Sequence, residues 1–141
     1  MVNWGVQWGT IVSGEAIPSG EDLEVYKEAR EYRKKMYKLS RRLPPEEKYN
    51  VASQIRDAAR SLTNNIAEGH GRFHYQENIQ FMRHSRGSLE ELLDDINICI
   101  DEQYATLNEL MILKEEGFRL LHRINGYIAY LKRRKEAEAA N

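Results

Sequence analysis

The chain has 141 residues, 41% hydrophobic and 30% charged, which fits one folded domain with a modest core. Its formal net charge of −1 removes bulk basicity as an argument for nucleic-acid binding. One cysteine excludes an internal disulfide, no Lys or Arg precedes Lys27 as a secretory leader requires, and no apolar run approaches the ~18 residues of a membrane helix; a cytoplasmic location is expected.

Residues 1–20 differ from the rest. They are rich in Gly and β-formers and hold both tryptophans, Trp4 and Trp8. They read as a short irregular arm, either docking on a neighbour or forming a poorly ordered leader. Helix one is predicted over Glu21 to Arg42, with Ser19 as N-cap. Val25, Ala29, Tyr32, Met36, Leu39 and Leu43 step by fours and threes, the stripe of a helix packed in a bundle. Pro44-Pro45 ends it. Helix two is predicted over Pro45 to Glu68 on the stripe Ala52, Ile55, Ala59, Leu62 and Ile66, with Gly69 as a left-handed cap. Helix three is predicted over Tyr75 to Gln103, with Ile79, Met82, Leu89, Leu93, Ile96 and Ile100 inward. Cys99, in the run INICI, is a buried thiol on this reading. Gly87 interrupts the helix at a cost of ~1 kcal/mol and predicts a bend or a close approach. Helix four is predicted to start at Thr106, whose spacing to Glu109 is that of a capping box. Leu110, Leu113, Gly117, Leu121, Ile124, Ile128 and Leu131 carry its stripe, and KRRKEAEAAN is expected to fray. The fold class is therefore all-α: an antiparallel up-down-up-down four-helix bundle over residues 21–135, an N-terminal arm over 1–20 and a tail over 136–141.

Polar residues are embedded in this pattern. Ser61, Asn65 and Glu68 share an edge of helix two, and Ser85, Ser88 and Glu91 share an edge of helix three. Helices joined by a short loop lie side by side, so these edges are expected to meet. Buried polar groups need partners, which predicts a structural network of Ser61, Asn65, Glu68, Gly69, Ser88 and Glu91, with Arg72 pairing Glu68.

The runs QIRDAARSLTNNIAEGHGR and RGSLEE resemble the four-helix-bundle family encoded within intervening sequences of bacterial 23S ribosomal RNA genes. The likeness spans about Leu23 to Leu131. It rests on Gln54-Ile55-Arg56, Ala58-Ala59, Ser61, Asn65 to Gly69, Arg72, Phe81, Gly87-Ser88-Leu89 and Glu91. Accessory variability proteins of diversity-generating retroelements form a more distant branch. The resemblance implies a ring-shaped homopentamer. From the retroelement branch it also implies a basic surface for nucleic acid and a reverse transcriptase as partner. The chain departs from the family pattern in its N-terminal twenty residues, in His74 where Ser or Thr would cap helix three better, and in its slightly acidic net charge.

Charge is segregated. Helix one carries Lys27, Arg30, Arg33, Lys34, Lys35, Lys38, Arg41 and Arg42, whereas Gly87 to Glu102 holds six acids and no base. The topology puts the ends of helices one and three at one pole, where these charges are expected to pair within the subunit or between ring neighbours. His70, Arg72, His74, Arg83, Arg86 and the tail Lys132 to Lys135 are expected at the other. The candidate nucleic-acid contacts are Arg56, Arg60, Arg72, Arg83, Arg86, Lys132, Arg133 and Arg134. Phe81, Ile98, Met111 and Phe118 exceed what one bundle core needs and point to a homo-oligomer.

An enzyme is not expected. No Glu precedes a histidine by three residues, as a di-iron bundle requires. No Arg stands four to six residues before a histidine, the pattern of bundle ribonucleases. Phosphate-loop and zinc spacings are absent too. No cofactor or metal is expected. The sequence supports a non-enzymatic oligomer that binds structured RNA or DNA, or serves beside a reverse transcriptase; the alternative is a structural, protein-interaction ring.

Overall fold

The structure is a computed structural model that describes residues 21–140, with side chains from Leu23 onward. The arm at residues 1–20, with Trp4, Trp8 and the Ser19 cap, lies outside the described residues. Four helices follow: α1 (Glu21–Arg42), α2 (Val51–His70), α3 (Tyr75–Asp101) and α4 (Leu107–Ala140), with a 3-10 turn at Pro45–Glu47. Each packs on its neighbour in sequence, and α4 closes back on α1 along the thinnest seam. This is the antiparallel up-down-up-down bundle that short joints between amphipathic helices impose.

The predicted stripes form the core, with Ile100, Leu113 and Leu121 only partly buried at its edge. Met36, Ile55, Ala59, Leu62, Met82, Leu89, Ile96, Leu110, Ile124 and Leu131 are all fully buried. Each large aliphatic side chain there contributes about 1.5–3 kcal/mol from burial. Cys99 is a buried free thiol, and burial, with Asp95 and Glu47 nearby, pushes it up to about 11. The seams are also tied by hydrogen bonds. Ser85 donates to the Leu62 carbonyl at 2.7 Å, Asn78 to the Tyr127 hydroxyl at 3.2 Å, and Tyr32 to the Leu113 carbonyl at 2.9 Å.

Several boundaries differ from the sequence reading. Helix two does not begin at Pro45. That proline opens the separate 3-10 turn, and Asn50 (φ −118°, ψ −109°) breaks it from α2. α2 then passes through Gly69 to His70, so Gly69 is helical and not a left-handed cap. Its glycine is needed for closeness: a Cβ there would collide with the Asn78 side chain and sit 2.9 Å from Phe81 Cβ. α3 ends at Asp101 rather than Gln103, and the left-handed residue is Gln103 itself (φ 57°). Tyr104 N–H donates to the Cys99 carbonyl at 3.0 Å and Gln103 N–H to the Ile100 carbonyl at 3.2 Å. That is the Schellman pattern, with glutamine where glycine is usual.

Gly87 admits no close neighbour: a Cβ there would meet nothing within 4 Å, and α3 continues through it. Thr106 caps α4 through the Glu109 N–H at 3.2 Å. The Glu109 carboxylate instead accepts from Arg42 at 2.6 Å. α4 runs to Ala140, so residues 136–140, expected to fray, continue the helix. Among the described residues, the basic residues of α1 do not pair within the subunit with the acidic end of α3, which lies across the bundle. The ion pairs from α1 to another helix reach α4: Lys35–Glu116 at 2.5 Å, Arg42–Glu109 at 2.6 Å and Glu28–Arg123 at 2.9 Å.

Candidate nucleic-acid interface

The joint between α2 and α3, GHGRFH, brings the end of α2, the start of α3 and the last turns of α4 to one pole. α4, at 34 residues against 27 for α3, is long enough to pass the start of α3. Lys135 donates to Gln76 at 2.6 Å. Arg134 lies over the Tyr75 ring at 5.9 Å from its centroid and donates to its hydroxyl at 3.4 Å. These contacts pin the basic run Lys132 to Lys135 beside the joint, with Lys132 and Arg133 exposed. Arg72 projects from the joint, pairs with Glu68 at 2.8 Å and stacks on Phe81 at 4.9 Å. Phe73, at the tip, is 70% exposed.

The eight predicted basic contacts do not form one cluster. Arg72, Lys132, Arg133 and Arg134 gather at this pole. Arg83 and Arg86 lie about 12 and 16 Å down α3, at 1.5 Å per residue from Tyr75; Arg86 donates to Asn125 at 2.9 Å, while Arg83 is exposed at the rim of the groove described below. Arg56 lies in the second turn of α2 and Arg60 at its middle, both away from this pole. Arg56 donates to the Lys48 carbonyl at 3.3 Å, and Arg60 pairs with Asp57 at 2.8 Å.

The polar network forms in part. Ser88 donates to Ser61 at 2.8 Å, across the α2–α3 seam. Asn65 donates to the Ser61 carbonyl at 2.8 Å and hydroxyl at 3.0 Å. Gly69 packs under Asn78 and Phe81. Glu68 is exposed and held only by the surface pair with Arg72, and Glu91 is exposed too. Neither is a buried member. Glu68 shares the edge of Ser61 and Asn65, but in the last turn of α2 its carboxylate reaches Arg72 of the joint and stays in water.

A family model for the 23S rRNA-intervening sequence protein matches residues 21–126, the span of α1, α2, α3 and most of α4. The chain belongs to this family. The resemblance runs QIRDAARSLTNNIAEGHGR and RGSLEE belong to α2, α3 and the joint between them, whereas the pinned basic run, Lys132 to Lys135, lies past the matched region. A search of curated proteins gave no match.

Two features escaped the sequence reading. Phe73 was legible as an aromatic set between Arg72 and His74 in a joint. Asp95 is nearly buried, and its carboxyl is pushed up to about 6, first by burial and then by Asp94 and Glu91. Among the described residues, no three His, Cys, Asp or Glu gather as a metal site, and no helix is long and apolar enough to cross a membrane.

Proposed function

We propose that this chain is a non-enzymatic, self-assembling bundle that holds structured RNA against the pole built by the α2–α3 joint and the end of α4. One observation carries the reading: Tyr75 and Gln76 pin Arg134 and Lys135 beside Arg72 and the exposed ring of Phe73. Fixed cations bind phosphate without ordering cost at the moment of contact, and an exposed aromatic supplies a stacking surface. Self-assembly is favoured by Leu107, Met111 and Phe118, which line one face of α4 with 41–62% of their surface exposed. The resemblance makes a ring of five the form to test.

The test is a titration of a structured RNA at two salt concentrations, with mass followed by light scattering. About five phosphate contacts per protomer predict a log–log salt slope of about −4. Charge reversal at Lys132 and Arg133 with Phe73→Ala is expected to remove binding and leave the mass unchanged. Retained affinity in that variant refutes the assignment of the pole. An assembled protein that binds neither RNA nor DNA supports the second reading, a protein-interaction ring, for which the same apolar face of α4 is the evidence.

A further inference from the structure

The α2–α3 seam carries an open groove of about 480 Å³ on its outer side, within the size range of small-ligand sites. Its floor is Gly87, where the missing side chain leaves open space. A mid-helix glycine costs about 1 kcal/mol against alanine, yet nothing in this chain occupies the room it makes. The Ser61, Ser88 and Asn65 hydrogen bonds fix one wall. Phe81, backed by the Arg72 guanidinium, lines the end nearest the basic pole.

The groove is chemically polar from end to end. Arg83 and His84 stand at one end and Glu91 at the other, about 12 Å apart along α3. Among the described residues, Arg83 has no carboxylate within ion-pair distance and Glu91 no cation. Asn65 donates from its amide nitrogen to Ser61 and, one turn from the Ser61–Ser88 contact toward the joint, stands level with His84. One end therefore offers cationic donors to an anion, and the other offers the acceptor-only carboxylate of Glu91. A nucleotide whose base carries an exocyclic amine has the matching pattern: acceptor oxygens on its phosphate and donor hydrogens on its base edge.

We propose that this groove takes one unpaired, amine-bearing nucleotide, its phosphate at Arg83 and His84 and its base amine at Glu91. The proposal rests on the nucleic-acid reading above and adds a base preference to it. Strand bound at the pole reaches the groove by way of Arg72 and Phe81.

The experiment is fluorescence anisotropy of the full chain with labelled oligocytidine and oligouridine twelve-mers at two salt concentrations. Cytosine presents an amine where uracil presents a carbonyl, so oligocytidine is expected to bind about tenfold tighter. Glu91→Gln removes the acceptor-only carboxylate and is expected to bring the two affinities together with the salt slope unchanged. Gly87→Leu fills the floor without loss of helix propensity and is expected to do the same, with unaltered circular dichroism. Equal wild-type affinities, or a preference that survives both substitutions, overturn the groove and leave the pole standing. A change of light-scattering mass in Gly87→Leu overturns it in favour of a contact between copies. Failure to bind either oligomer or a structured RNA overturns both readings.

Discussion

Asp95 offers the sharpest test of the packing. It is 6% exposed on α3, beside Asp94 and near Glu91, and its carboxyl rises from 3.8 to about 6 because burial and then these neighbours oppose its charge. At about 1.36 kcal/mol for each tenfold change, that rise corresponds to at most about 3 kcal/mol at neutral pH. The carboxyl edge still reaches water, and screening lowers the figure to about 1–2 kcal/mol. The sign follows from proton counting. Between about pH 4 and 6 the native state binds more protons than the unfolded chain, so this group lowers stability as pH rises and its full cost stands above about pH 6. Asp95→Asn removes the charge and keeps the shape. It is expected to be about 1–2 kcal/mol more stable than wild type near pH 7.5, with the gain vanishing toward pH 4. Urea unfolding followed by circular dichroism across that range measures the difference curve, at one protomer concentration because assembly shifts the midpoint. A difference independent of pH, or a variant less stable than wild type at neutral pH, refutes the reasoning.

Three further outcomes follow from local geometry, each read from urea midpoints under the same conditions. Gly69→Ala forces a Cβ against Asn78 and Phe81 and is expected to cost about 1–3 kcal/mol; a neutral result means the α2–α3 seam can open. Gln103→Gly relieves a left-handed glutamine in the Schellman turn and is expected to gain about 1 kcal/mol. A loss would show that the glutamine side chain holds the turn. Glu68→Ala breaks one exposed pair with Arg72 and is expected to change stability by less than about 1 kcal/mol, whereas a larger loss restores Glu68 to a buried network.

The amphipathic period by itself determined the architecture. Residues such as Ile55, Leu62, Leu89 and Ile124 recur at helical spacing because one face of each helix must leave water, and short polar joints leave antiparallel packing as the simplest solution. The Ser61–Ser88 bond was legible for a related reason: both residues edge the apolar stripes of helices that a short loop forces together. Position along the helices was less so. Arg72, Arg83 and Arg86 are close in sequence, but a helix spreads about eleven residues over about 16 Å, so only Arg72 reaches the pole.

Glycines carried the least information alone. Gly69 and Gly87 look alike in a helical sequence. Tertiary packing presses one against Asn78 and Phe81 and leaves the other open as the floor of a groove. The same holds for charge. Periodicity marks which residues face outward, but only the packed structure decides which outward residue meets a partner. Lys35 and Arg42 find Glu116 and Glu109 on α4 because α4 closes the bundle against α1. Glu91 and Arg83, on the outer side of α3, are left to whatever binds there.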